Sequence, residues 1–206
     1  MLLTSPSNHN LINQGQKTQR RLHFYERGEE IPLISQGVWQ VNKGVVQLVK
    51  FNPQGEETLL GWVHSDNFFG LWFTSLDSFQ AKSLSDVHLQ WYSITEIEKN
   101  SVLAQAMLSQ VVKRIRQSEA LLAIAGKRKV EDRLVQLLKL LAREMGESRD
   151  SGIRLKVRLT HQNLANAIST TRVTITRLLG DLQKQGFISF DSSRHIVVCD
   201  HNITRN

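Results

Sequence analysis

The stretch LTHQNLANAISTTRVTITRLLGDLQKQGF, residues 159–187, constrains this chain more than any other. It holds two short helical patterns with almost nothing between them. The first covers residues 162–168, where Leu164, Ala165 and Ile168 share one face. The second covers residues 171–184 and puts Ile175, Leu178, Leu179 and Leu182 on one face. Thr160 is placed to cap the first helix, and Thr170 or Thr171 the second. A hydroxyl at such a position satisfies a free N–H of the opening turn. Gly186 follows the second pattern, where a left-handed residue ends a helix at little cost. Ala165 is small enough for the helices to cross closely. These features predict a helix-turn-helix, whose second helix enters a DNA major groove. A plain helical hairpin with a solvated face is the competing reading. Two arginines, the caps, the terminal glycine and a following hairpin count against it.

The polar face of the second helix carries Arg172 and Arg177, opposite Leu178 and Leu182. Arginine pairs bidentately with guanine O6 and N7, and valine methyl groups suit a thymine methyl. Arg172, Val173 and Arg177 are therefore the expected base readers. Thr160, Gln162, Thr171 and Thr174 are the expected phosphate contacts, which fix register without choosing bases. After the helix, residues 187–190 and 195–199 read as a hairpin wing around Asp191-Ser192-Ser193-Arg194. Arg194 at its tip is a further candidate for phosphate.

Charge divides the chain. Residues 1–100 hold 8 Lys and Arg against 10 Asp and Glu, whereas residues 101–206 hold 18 against 9. A basic half beside a slightly acidic one suggests a polyanion for the C-terminal half only. No run approaches the roughly 20 apolar residues of a membrane span. The N-terminus lacks the basic and apolar regions of a secretory signal. Cys199 is the lone cysteine. It excludes a disulfide and a multi-cysteine zinc or iron–sulfur site within one chain, and it fits a reducing cytoplasm.

Four segments are expected: 1–20, a polar flexible arm; 21–96, a β domain; 97–126, a long helix; and 127–206, the winged helix-turn-helix. The class is α+β. In the second segment, RGEEIPLI, GVWQVNKGVVQLVKF, NPQGEETLLGWV and HLQWYSI are strand-like runs broken by turns at Asn42-Lys43-Gly44 and Asn52-Pro53-Gln54-Gly55. Short strands at this spacing suggest an antiparallel barrel or jelly roll. Within it Val45, Gln47 and Val49 alternate with Val46, Leu48 and Lys50. His23, His64 and His88 show no ligand-like pairing, which argues against haem or a metal. No nucleophile–base pair stands out, so the chain does not read as an enzyme.

In the third segment Ala104, Leu108, Val111, Ile115, Ser118, Leu122 and Ala125 recur at alternating steps of four and three. That is a heptad seam, and it predicts a parallel homodimer. A helix docked only on its own β domain is the competing reading, and Val112, Leu121 and Ile124, off the seam, allow both contacts at once. Gly126 and Lys127-Arg128-Lys129 break it as a hinge. Residues 130–145 are helical again, GESRDSG reads as a polar loop, and residues 153–158 read as a strand.

The motifs TRVTITRLLGDL, RGEEI, VNKGVVQL, NPQGEE and DNFFG together resemble the Crp/Fnr family of transcription regulators, most closely its cyanobacterial NtcA-like branch. The resemblance implies a cyclic-nucleotide-binding-like β-roll, a dimerisation helix and a winged helix-turn-helix. It also implies a palindromic site close to GTA-N8-TAC, activation rather than repression, and RNA polymerase as a partner. Ser169 departs from the family's usual turn glycine, and a left-handed serine costs on the order of 1 kcal/mol. In the roll, Phe69, Gly70, Leu71, Trp72 and Lys82 occupy the family's effector positions. No Glu follows Gly70, and SFQAKSLSDV lacks the arginine that holds a phosphate. Lys82 is a poorer anion partner than arginine. This argues against cAMP and weakens a 2-oxoglutarate reading. Trp62, Phe68, Phe69, Trp72 and Phe73 are expected to fill the roll and pack it on a helix. A roll that docks a partner protein, with DNA binding secondary, is the alternative.

Overall fold

The computed structural model describes residues 21–199. The expected arm, residues 1–20, and residues 200–206 lie outside the described residues. The β domain forms from eight strands: β1 (Leu22–Tyr25), β2 (Glu30–Ile31), β3 (Gly37–Lys43), β4 (Val45–Phe51), β5 (Glu57–His64), β6 (Phe68–Phe69), β7 (Phe79–Ser83) and β8 (Val87–Ser93). They pair antiparallel into two four-stranded sheets, ordered β1-β8-β3-β6 and β2-β7-β4-β5. Trp39, Val41, Val46, Leu48, Val63, Phe69 and Leu89 fill the space between them. Strand β4 does not expose one face. All of Val45–Val49 is buried, because Val46 and Leu48 face the roll while Val45 packs on the C-terminal core. The aromatic residues divide as well. Phe69 fills the roll, while Phe68 packs with Ile97 and Met107. Trp62 joins the C-terminal core. Trp72 and Phe73 depart from the expectation: they are 54% and 37% exposed and touch each other edge to face.

The long helical pattern is two helices. Helix α1 (Ile94–Lys99) ends at Asn100, whose side chain accepts from Leu103 N–H and caps α2 (Ser101–Ala125). Asparagine serves both boundaries because its short amide completes the next opening turn. Helix α2 carries two stripes. Met107, Gln110, Arg114, Gln117, Leu121 and Ile124 turn toward the rest of the chain, and Met107, Gln117 and Ile124 are fully buried. The heptad seam lies one residue on, and it stays open: Leu108 is 66%, Ile115 53% and Leu122 75% exposed.

Helix α3 (Val130–Met145) buries Leu134, Leu137, Leu138 and Leu141 completely. GESRDSG is not a loop. It forms a hairpin of β9 (Gly146–Arg149) and β10 (Gly152–Leu155), which extends the wing sheet to the order β11-β12-β10-β9. Here β11 is Ile188–Phe190 and β12 is Ile196–Val198. Glu147 and Arg149 are polar because this strand lies at the edge, where water satisfies one side. Between them stand α4 (His161–Ala167) and α5 (Arg172–Lys184). One core joins α3, α4, α5 and the wing through Leu164, Ala165, Ile175, Leu178, Leu182, Ile188 and Val198.

Candidate nucleic-acid interface

Two caps set the helix-turn-helix. The Thr160 side chain accepts from Asn163 N–H, and the Asn163 side chain accepts from Thr160 N–H, a reciprocal capping box. The Thr160 hydroxyl also donates to Asn163 Oδ1 at 2.6 Å. Thr160 is thus the cap its sequence position predicts, with its hydroxyl engaged by Asn163. Thr171 caps α5 by accepting from Thr174 N–H at 3.1 Å, and the two hydroxyls sit 2.9 Å apart. Between the helices Ser169 adopts φ 52°, the left-handed conformation its sequence position requires without a glycine. Ala165 is wholly buried at the crossing and accepts from Thr170 N–H at 3.0 Å.

Ile175, Leu178, Leu179 and Leu182 lock α5 onto the core. Arg172, Val173 and Arg177 are exposed on the opposite side, Val173 at 79%. The structure does not bring the two arginines together. Five residues place them about 140° apart, so they flank the exposed face. Arg177 pairs with Asp181 at 3.2 Å. An exposed pair of this kind is worth under about 1 kcal/mol and yields readily to a stronger acceptor. Arg172 instead turns into a cleft between α5 and the wing, shared with Thr160, Gln162 and Arg194. Arg194 has φ 64° at the wing tip and stacks 5.9 Å from the Phe190 ring centre. Gln162 Nε2 donates to Asn166 Oδ1 at 2.6 Å.

The wing is held by charge. Arg154 on β10 bridges Asp191 at 2.5 Å and Glu147 at 2.8 Å. Hydrogen bonds from Arg154 and from His195 N–H hold the Asp191 carboxyl below its ordinary range. Thr176, one of the hydroxyls α5 offers to a phosphate or base, lines the cleft with Arg158, His161 and Gln183, which carry no local sequence signal. His161 and Thr176 stand fifteen residues apart, too far for periodicity to join them.

A second site lies under α2. A cavity of about 500 Å³ opens between the roll and this helix, lined by Leu48, Leu60, Phe68, Phe73, Val111 and Leu122 among others. Of the five effector candidates, Phe69 and Gly70 line it. Leu71, Trp72 and Lys82 do not. Lys82 lies 4.8 Å from the Phe51 ring centre instead, because β7 turns its side chain away from the cavity. The cation at this wall is Arg114, supplied by the helix rather than the roll. Its guanidinium donates to Gln117 Oε1 at 2.8 Å and Leu60 O at 3.1 Å. Gly61, at φ 142°, admits both side chains, since a Cβ there would overlap Gln117 Oε1 and Arg114 Nη1. Gln110 Oε1 is buried at the wall without a hydrogen-bond partner among the described residues.

Residues 132–202 match the Crp-like helix-turn-helix domain. The chain is 30% identical over 191 residues to the global nitrogen regulator of Synechococcus elongatus, covering 86% of each chain. It is 33% identical to that of Nostoc sp. over 76% of this chain and 74% of the relative.

The chain belongs to the Crp/Fnr family of transcription regulators.

This Crp/Fnr fold also matches FixK2 from Bradyrhizobium japonicum, with a TM-score of 0.74 at 20% identity over 91% of this chain and 98% of that one. A CRP-family regulator from Thermus thermophilus matches with a TM-score of 0.73 at 18% identity, over 89% and 97%. Among the described residues no helix is long and apolar enough to cross a membrane, and no cluster of His, Cys, Asp and Glu could hold a metal.

Proposed function

We propose that this Crp/Fnr regulator binds a palindromic GTA-N8-TAC-like operator as a homodimer and activates transcription with RNA polymerase. The exposed face of α5 carries the reading. Arg172 and Arg177 flank Val173 there, and no apolar neighbour covers them. Arginine at either edge suits guanine, and valine between them suits a thymine methyl. The open heptad seam on α2 supports the dimer, since three large apolar side chains otherwise face water. Two inverted half-sites would lie about one helical turn apart, roughly 34 Å.

The cavity under α2 is the effector site in this reading, and cAMP is not its ligand. Its wall is mostly apolar, and the Arg114 guanidinium beside it is already engaged by Gln117 and Leu60. A phosphate would compete with them for the guanidinium. The alternative, a roll that docks a partner protein with DNA binding secondary, differs in its response to salt. DNA recognition through several phosphates gives a steep fall of log K with log salt, about 0.9 per phosphate contacted. Titrating full-length protein into operator DNA at several salt concentrations separates the two. A shallow slope with no preference over scrambled duplex would favour the docking reading.

A further inference from the structure

The DNA-facing cleft holds a titratable side chain that base reading does not use. His161 is the first residue of α4 and lies half-buried against α5. Its Nδ1 stands 2.7 Å from Thr176 Oγ1. The Thr176 hydroxyl donates its one proton to Arg172 O at 2.9 Å, four residues back along α5. Thr176 must therefore accept from His161, which places the neutral ring's proton on Nδ1. Nε2 is left as a bare lone pair with no hydrogen-bond partner among the described residues. A lone pair can only repel a phosphate oxygen, whereas a protonated Nε2 donates to it.

Three cations line the cleft with this ring. Arg172 comes from α5, Arg194 from the wing tip and Arg158 from the strand-to-helix connection. Asp191 also lines the cleft, but its carboxylate is engaged by Arg154 and His195 N–H. Three arginines with one neutralised acid make a strongly positive recess, to which the DNA backbone is the complementary polyanion.

We propose that His161 takes up a proton as a DNA backbone phosphate enters this cleft, so that DNA affinity rises as pH falls. Thr176 is the positioning residue, because it fixes Nδ1–H and aims Nε2 outward. The proposal rests on the DNA-binding reading of α5. In the free protein, burial and then the charges of Arg172 and Arg194 hold the imidazole below its ordinary value of 6.5. A bound phosphate cancels that repulsion and adds attraction, so the value rises in the complex. The contribution to affinity is then complete below the free-protein value. It is lost as pH rises through the value of the complex.

The test measures binding of full-length protein to a GTA-N8-TAC duplex and a scrambled duplex between about pH 6 and 8, the range in which histidine titrates. Ionic strength is held constant. Wild type should bind both duplexes several-fold tighter at the acid end, up to about tenfold per pH unit for each half-site engaged. His161→Gln should be flat across this range. His161→Arg, permanently charged, should be flat and as tight throughout as wild type at its most acid. Thr176→Val should bind with a reduced pH slope. A wild-type slope that survives in His161→Gln overturns the proposal and assigns the proton elsewhere. A flat wild type that still binds tightly also overturns it. If His161→Arg and wild type bind neither duplex at any pH, the DNA-binding reading itself fails.

Discussion

Replacing Gln117 with leucine should unfasten the β-roll from α2. Gln117 is 6% exposed and makes four hydrogen bonds. Its Oε1 accepts from Trp62 N–H at 3.1 Å and Arg114 Nη1 at 2.8 Å. Its Nε2 donates to Trp62 O at 3.2 Å and Glu144 Oε2 at 2.5 Å. One amide thus ties β5, α2 and α3 together. Leucine fills much the same volume, so the transfer of apolar area changes little and the loss is polar. Arg114 and Glu144 can turn toward the opening they both line. The backbone N–H and C=O of Trp62, itself 4% exposed, cannot turn. Each buried group left unsatisfied costs about 1–3 kcal/mol, so the pair costs about 2–6 kcal/mol. Urea unfolding of the full chain, followed by tryptophan fluorescence and far-UV dichroism, reads this as a lower midpoint at unchanged slope. A loss below about 1 kcal/mol would refute the reasoning, because it would mean that Trp62 finds other partners.

Glu144 shares that junction, and burial lifts its carboxyl above the ordinary value of 4.5 despite the Gln117 hydrogen bond and the charges of Arg114 and Arg143. A folded value above the unfolded one means that stability is complete at acid pH and falls as pH rises through both, so the carboxylate is a cost at neutral pH. Glu144→Gln should therefore raise the unfolding midpoint at neutral pH and leave it unchanged at acid pH; a fall at neutral pH would contradict the sign. Ile115→Lys should place two charges face to face in the seam and yield monomers, and a variant still dimeric by light scattering at low micromolar concentration would put the interface elsewhere. Gly180 lies inside α5 with open space where a Cβ would stand. Gly180→Ala should add about 1 kcal/mol of stability in thermal unfolding, and no gain would point to strain there.

The C-terminal half was legible because each of its signals is local. The caps at Thr160 and Thr171, the apolar face of α5 and the wing turn all lie within a few residues of what they control. The hairpin of β9 and β10 was missed because GESRDSG is polar throughout, and an edge strand can be polar where only one side is covered. The exposure of Trp72 and Phe73 was not legible because they stand on a single 3-10 turn, Leu71–Phe73, too short for a periodic pattern to show which side is covered. The cation of the cavity was sought in the roll, yet Arg114 comes from α2. Its trace was present in the sequence as a second stripe of Met107, Gln110, Arg114, Gln117, Leu121 and Ile124, one residue out of step with the seam. Its off-seam apolar residues, Leu121 and Ile124, allow a contact with the roll beside the seam, but the polar members Arg114 and Gln117 gain a role only with Gly61 and Leu60 opposite them. His161 and Thr176 meet only through the crossing of two helices.

The central claim is that α5 reads bases through Arg172, Val173 and Arg177. Selection of binding sites from a random duplex library, with wild type and Arg172→Ala, tests it most directly. Wild type should enrich inverted GTA and TAC half-sites. Arg172→Ala should lose about 1–3 kcal/mol on the selected site and relax its preference at one guanine. Equal loss on selected and scrambled DNA, with the preference intact, would make Arg172 a phosphate clamp and contradict the assignment of the reading face.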